Sequence, residues 1–292
     1  MTVPEPTLPP VVDISWLREH PDRRDGGDGD GGVVLADVRW YLDGRSGLDA
    51  YLAGHLPGAL WVDVDTVLSA PPTETGGRHP LPDPDDFADA LGRLGIGDDT
   101  TVVAYDDNGG AYAARLVWLL RRTGRAAALL DGGLADWPDA DLETGQVTRA
   151  PVPHTPVDWP KESFRSADEV ASATANGTAV VLDARAPDRY SGATVLPTDI
   201  RSGHIPGARN APWSANLTPD GHFAPPSALR AHYTVLGVPP DTEVIVYCGS
   251  GVTACHDLLA LEHIGIPTTS LYPGSWSAWS ADLSRPIETG DQ

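Results

Sequence analysis

Basic charge is scarce in this 292-residue chain. Lys161 is the sole lysine, and Lys and Arg together number 20 against 41 Asp and Glu, for a formal net charge of −21. Such a field repels polyanions, so nucleic acid and anionic membrane surfaces are excluded as partners. Cysteine is scarcer still, with two in the whole chain. That excludes a disulfide scaffold and a thiol-rich metal centre, and it fits a reducing compartment; we expect a soluble, cytoplasmic protein. No apolar run approaches membrane-spanning length. Met1 to Pro10 is proline-rich without an apolar core, unlike a secretory leader. What remains is ample: 41% of residues are hydrophobic, enough at this length for two packed cores. A small anion can still bind wherever arginines and main-chain amides overcome the global field.

The chain repeats itself. Leu35-Ala36-Asp37-Val38-Arg39 matches Leu182-Asp183-Ala184-Arg185, and Gly54-His55-Leu56-Pro57-Gly58-Ala59 matches Gly203-His204-Ile205-Pro206-Gly207-Ala208. Val102 to Tyr105 matches Val244 to Tyr247, and Asp131 to Trp137 matches Pro273 to Trp279. The last two landmarks share one offset, since 247 − 105 and 279 − 137 both equal 142. Each half alternates β-branched runs with helical patterns, the mark of an α/β fold with a mainly parallel sheet flanked by helices on both faces. We therefore expect a first domain over 1–147, a proline-bearing connector over 148–160 and a second domain over 161–292. In the second half, 179–182 and 244–247 read as strands, and 166–175 and 252–263 as helices. Ser166 and Glu169 have the spacing of a capping box. Asp22 to Gly32, rich in Asp, Gly and Arg, reads as a surface loop.

Chemistry concentrates at Cys248. It follows the apolar run Val244-Ile245-Val246-Tyr247 and opens Cys248-Gly249-Ser250-Gly251-Val252-Thr253-Ala254, after which a helical pattern begins. Strand, glycine-bearing loop and helix start let amides converge on one point, a nest that stabilises an anion. With sulfur delivered to its centre, the chemistry suggested is that of an activated thiolate. The bland alternative is a small buried hydrophobe at a strand end. A phosphatase of the Cys-x5-Arg type needs arginine at position 254, which is alanine. The other cysteine, Cys255, is seven residues on, and its helical spacing disfavours a bridge between the two. The same offset puts Asp106 where the second half has Cys248, so the first half is expected to carry no sulfur.

The loop resembles that of the rhodanese-like sulfurtransferases, in the form found among those acting on 3-mercaptopyruvate, and the repeat and both Gly-His-x-Pro-Gly-Ala elements extend the resemblance over the chain. It implies two tandem rhodanese-like domains and a Cys248 persulfide that takes sulfur from a small-molecule donor. The sulfur would pass to a thiol acceptor such as thioredoxin or glutathione, or to cyanide, with no metal and no organic cofactor. The N–H groups of Gly249, Ser250, Gly251, Val252 and Thr253 would hold the negative sulfur. Arg189 matches a substrate-carboxylate arginine; its alternative is an ion pair with Asp183 or Asp188. A second family arginine falls near Pro197, where this chain has none. Either Arg201 substitutes from a shifted register or the clamp is weaker. The family's serine–histidine–aspartate relay maps onto Ser250, His79 and Asp63, with a loop histidine and a turn cap as the alternative readings of the last two. His55 and His204 read as structural, Arg39 and Arg185 as partners of Asp37 and Asp183, and Trp276 as packing that also walls the pocket. Thiosulfate, a dianion, wants a cation beside the sulfur, and positions 249 to 253 are uncharged. Competing readings are a thiosulfate sulfurtransferase, a persulfide carrier served by a protein donor, and a non-catalytic rhodanese-like binding module.

Overall fold

The computed structural model describes residues 8–20, 32–138 and 141–291. The stretch that the sequence marks as a surface loop lies outside them, apart from Gly32. Contacts divide the chain into two compact units. The first comprises Met1–Ala70 and Pro82–Trp159, the second Pro71–Leu81 and Pro160–Gln292.

The first unit contains β1 (Val11–Val12), α1 (Ile14–Glu19), β2 (Val33–Asp37), α2 (Gly47–Ala53), β3 (Leu60–Trp61), α3 (Pro84–Arg93), β4 (Thr101–Tyr105), α4 (Ala113–Arg122) and β5 (Ala127–Leu130). Its strands are all parallel, in the order β1-β5-β4-β2-β3. Every residue of β2 and β4 is buried, as continuous apolar runs in a sheet covered on both faces must be. Asp83 caps α3 by accepting the Asp85 N–H, and Pro84 occupies the first turn, where no amide partner is needed. The connector expected over 148–160 runs, up to Trp159, along this unit. Val152 donates to Gly92 O at 3.0 Å, Thr155 bonds Asp98 through main and side chain, and Trp159 Nε1 donates to Pro82 O at 2.8 Å. Proline keeps the strip extended, and the remaining polar groups find acceptors on the unit they follow.

The second unit contains α5 (Ala167–Asn176), β6 (Val180–Asp183), α6 (Pro187–Ser191), β7 (Arg209–Asn210), α7 (Pro226–Val235), β8 (Val244–Tyr247), α8 (Ala254–His263), β9 (Thr269–Leu271) and α9 (Ser275–Ala281). The parallel order is β7-β6-β8-β9, and a parallel bridge from Phe164 to Leu271 stands where β1 stands in the first unit. Ser166 and Glu169 form the expected capping box on α5.

The duplication persists at the level of single bonds. Arg39 pairs with Asp37 and donates to Gly54 O at 2.7 Å; Arg185 pairs with Asp183 and donates to Gly203 O at 2.7 Å. His55 and His204 each place Nδ1 2.9 Å from a tyrosine carbonyl, Tyr51 and Tyr190, and stack on that ring. Tyr105 and Tyr247, ending the central strands, each accept the amide that follows the histidine. The Gly-His-x-Pro-Gly-Ala element is thus a structural clasp, as expected, that ties a central strand to the turn beside it.

Asp183 is wholly buried, and Arg185, which also lies over the Trp276 ring at 4.7 Å, is its counter-ion. Stripping one partner from such a pair leaves an uncompensated charge in the interior. Arg185→Ala should lower stability by about 3–5 kcal/mol, read as a shift in the urea midpoint at unchanged slope. A variant within about 0.5 kcal/mol of the parent, the range of ordinary surface changes, would show that the pair holds nothing together.

Candidate active site

The sequence ends β8 at Tyr247, and the chain then leaves the sheet edge at the C-terminal ends of its strands, where open α/β sheets bind ligands. Cys248 is the first residue beyond the strand. Its Sγ accepts the Gly251 N–H at 3.2 Å, which closes the loop around the sulfur. Gly251 has φ +81°, a left-handed conformation that costs an L side chain and no glycine. Among the described residues, no acceptor is bonded to the main-chain N–H of Ser250, Val252, Thr253 or Ala254. These four donors belong to the loop that follows Cys248 and stay unspent, which an anion-binding loop needs.

The loop is held from below by the start of α9. Trp276 N–H donates to Cys248 O and Ser277 N–H to Gly249 O, both at 2.9 Å. Ser275 Oγ accepts the Cys248 N–H at 3.1 Å and donates to Tyr272 O. Ser275 is the one described non-glycine residue with positive φ, +52°. Strain of this kind, about 1–3 kcal/mol, persists where the surroundings over-determine it. Here three consecutive residues of one helix end fix the backbone of the cysteine loop. In the sequence this segment shows only as a repeat landmark with Trp276 as packing, and its hold on the loop is not visible there. Trp276 is fully buried, with Nε1 on Arg201 O, so it is core rather than pocket wall.

The first unit displays the same cradle filled. Asp106 accepts four main-chain donors: Asn108 and Gly110 on Oδ1 at 2.8 Å each, and Tyr112 and Ala113 on Oδ2 at 2.8 and 3.0 Å. Burial pushes its carboxyl up, and the four amides pull it down.

Cys248 itself is 2% exposed, less than an open reactive thiol would be. Around it the second unit gathers several polar groups. His79 Nδ1 lies 2.7 Å from Ser250 Oγ, so segment 71–81 brings a histidine onto the loop serine. Asp63, in the first unit, accepts the Asp65 N–H at 3.1 Å and the Thr66 hydroxyl at 2.9 Å within its own turn. Arg189 pairs with neither Asp183 nor Asp188 through its guanidinium. Its Nε and Nη2 grip the carboxylate of Asp199, the shortest contact being 2.7 Å. A methyl group built on Gly249 would meet Arg189 Nη2 and Arg78 Nη2, each at 3.1 Å, so two guanidinium groups border the loop. Neither Arg78 nor Asp199 is marked by the sequence reading.

Arg201 is a correction. Its guanidinium donates to the carbonyls of Trp279, Ser280, Asp282 and Arg285, which commits it to the C-terminal end of α9. Closeness in sequence to the missing arginine is what suggested it. On α8, fully buried Asp257 accepts Asn216 Nδ2 at 2.6 Å. Burial pushes its carboxyl well above the usual range, and the charge at Cys248 acts in the same direction. Among the described residues, no group of three His, Cys, Asp or Glu could hold a metal ion, and no described helix is long and apolar enough to cross a membrane.

Fold and site together define a tandem α/β protein with one cysteine-bearing anion cradle and one carboxylate-bearing copy. The comparisons agree. The rhodanese-like domain family matches residues 22–140 and 166–282. A probable 3-mercaptopyruvate sulfurtransferase of Pseudomonas aeruginosa is 42% identical over 269 residues, 89% of this chain and 93% of that one. A putative thiosulfate sulfurtransferase of Mycobacterium tuberculosis is 41% identical over 265 residues, 88% of this chain and 91% of the other. The crystal structure of SseA from Escherichia coli, a 3-mercaptopyruvate sulfotransferase, aligns with a TM-score of 0.77 at 33% identity, over 92% of this chain and 99% of that one. The chain belongs to the rhodanese-like family, in its tandem-domain sulfurtransferase branch, and is an enzyme.

Gly251→Ala tests the cradle. Alanine at this φ costs roughly 1–2 kcal/mol, and the strain falls on the peptide that donates to Sγ. We expect a fall of that size in unfolding free energy and slower alkylation of Cys248 by iodoacetamide at neutral pH. Alkylation at the parent rate would show that the Gly251 donor does not act on the thiol.

Proposed function

We propose that the chain moves sulfane sulfur from 3-mercaptopyruvate to a thiol acceptor through a persulfide on Cys248. The Cys248 thiolate attacks the substrate sulfur and forms the S–S bond. The carbon–sulfur bond breaks, and its electron pair leaves as the enolate of pyruvate, which is protonated and released. An acceptor thiol, of the thioredoxin or glutathione kind, then attacks the outer sulfur and restores the Cys248 thiolate. The unspent amides of Ser250, Val252, Thr253 and Ala254 supply donors for the negative outer sulfur, as the four amides do for Asp106 in the first unit. His79 and Ser250 form a proton path for the substrate thiol. Arg189 is assigned to the substrate carboxylate, which guanidinium groups hold through charge-assisted bonds. No described group provides a metal site, and two free buried thiols suit the cytoplasm.

The observation that carries this choice of donor is the charge around the loop. Positions 249 to 253 carry none, and the two bordering arginines share one carboxylate, which leaves a single positive charge in excess. One excess charge suits the monoanionic carboxylate of mercaptopyruvate better than the dianion thiosulfate. Thiosulfate is the second reading, favoured by the name of the Mycobacterium tuberculosis relative. Each charge-assisted bond that thiosulfate lacks costs about 1.5–3 kcal/mol, or roughly ten- to a hundredfold. Side-by-side kcat/KM values on the purified enzyme should favour mercaptopyruvate by that factor. Preference for thiosulfate would refute the assignment, and negligible turnover of either, with sulfur accepted from a protein donor, would make the chain a persulfide carrier.

The proton path makes its own prediction. His79→Gln should lower kcat with mercaptopyruvate by about a hundredfold or more. Turnover like that of the parent would remove His79 from the chemistry. Asp63→Asn keeps a turn-capping oxygen, so a comparable loss of kcat would add Asp63 to the relay, and no loss would leave it in its turn.

A further inference from the structure

The two arginines at Gly249 come from distant parts of the second unit, and they do not play the same part in its packing. Arg189, on α6, gives its Nε and Nη2 to Asp199. Arg78, on segment 71–81, gives Nη1 to Thr198 O at 2.9 Å and to Asp199 Oδ1 at 3.3 Å. Asp199 is nearly buried, with 3% of its side chain exposed, and it holds both guanidinium groups at once. After these bonds, Nη2 and Nε of Arg78 and Nη1 of Arg189 bond no acceptor among the described residues. The unspent Nη2 of Arg78 is the atom that stands 3.1 Å from a methyl built on Gly249, and Nη1 of Arg189 stands at 3.5 Å from the same point. Both side chains keep some solvent contact, 25% for Arg78 and 15% for Arg189.

We propose that Arg78 is the second cation of the donor-carboxylate clamp that Arg189 begins, so that the substrate carboxylate is gripped beside Gly249 by one guanidinium from α6 and one from segment 71–81. Three features of the arrangement support it. Donors converge on the residue next to Cys248, at a position where any side chain would press on both guanidinium groups. The shared carboxylate fixes the two forks without exhausting them, so their remaining N–H groups are pre-organised. The surplus of one positive charge, in a protein with a net charge of −21, is local and matches one carboxylate. The clamp also replaces, from a different stretch of the chain, the arginine absent near Pro197.

The identity of the donor rests on the proposed function, but the clamp can be tested without turnover. Iodoacetate and iodoacetamide alkylate a thiolate by the same displacement of iodide and differ in the carboxylate. Their rates at Cys248, localised by peptide fragmentation, give a ratio that reports the clamp and cancels changes in thiol reactivity. Arg78→Gln should lower the iodoacetate-to-iodoacetamide ratio about tenfold, the low end for a lost bond to a charged group. Arg78→Lys should recover part of it, since it keeps the charge and loses the fork. With mercaptopyruvate, Arg78→Gln should raise KM by a similar factor and leave kcat within about threefold, the pattern of lost uniform binding. An unchanged ratio in a folded Arg78→Gln protein would overturn the proposal, as would equal slowing by both reagents. If the parent enzyme draws no sulfur from mercaptopyruvate while the ratio still responds to Arg78, the clamp stands and the choice of donor falls.

Discussion

The hydrogen bond from Gly251 N–H to Cys248 Sγ, and the turn that makes it, is the constraint on which the rest of the second unit depends. A sulfur at the end of a parallel strand can be reactive only if main-chain donors face it, and such donors converge only when the loop backbone takes an unusual path. That path is held by α9, whose first residues satisfy the carbonyls of Cys248 and Gly249 and whose Ser275 accepts the Cys248 amide. The strained φ of Ser275 is compensated by those bonds. A segment that looks like ordinary packing thereby sets the backbone geometry at Cys248.

Duplication explains how one fold carries both a cysteine-bearing and a carboxylate-bearing strand end. The clasps of Arg39 and Arg185, of His55 and His204, and of Tyr105 and Tyr247 are equivalent bond for bond. The units diverge at the strand end. In one, the carboxylate of Asp106 permanently occupies its ring of amides. In the other, a single sulfur leaves several donors unspent. A nest whose donors are all taken holds the loop closed, whereas one with donors to spare can receive an anion.

The tandem α/β fold, the repeat offset and the cysteine loop were legible in the residues, because each rests on local pattern: buried β-branched runs, paired landmarks, glycines before a helix. The pairing of His79 with Ser250 was also within reach, though only through family resemblance, since 171 residues separate them. Arg78 and Asp199 were not legible. Their roles arise where segment 71–81 joins the second unit, a tertiary event without local signature. Arg201 shows the converse error. It lies near the expected place in sequence, yet α9 ends beside it and its guanidinium goes to the carbonyls that the helix leaves open.

The central claim is that Cys248 carries sulfur, and mass spectrometry of the intact enzyme after brief exposure to mercaptopyruvate, with no acceptor present, tests it most directly. The account predicts one added sulfur atom, localised to Cys248, removed by cyanide and absent from Cys248→Ser. An unmodified Cys248, or sulfur found on Cys255 instead, would contradict it.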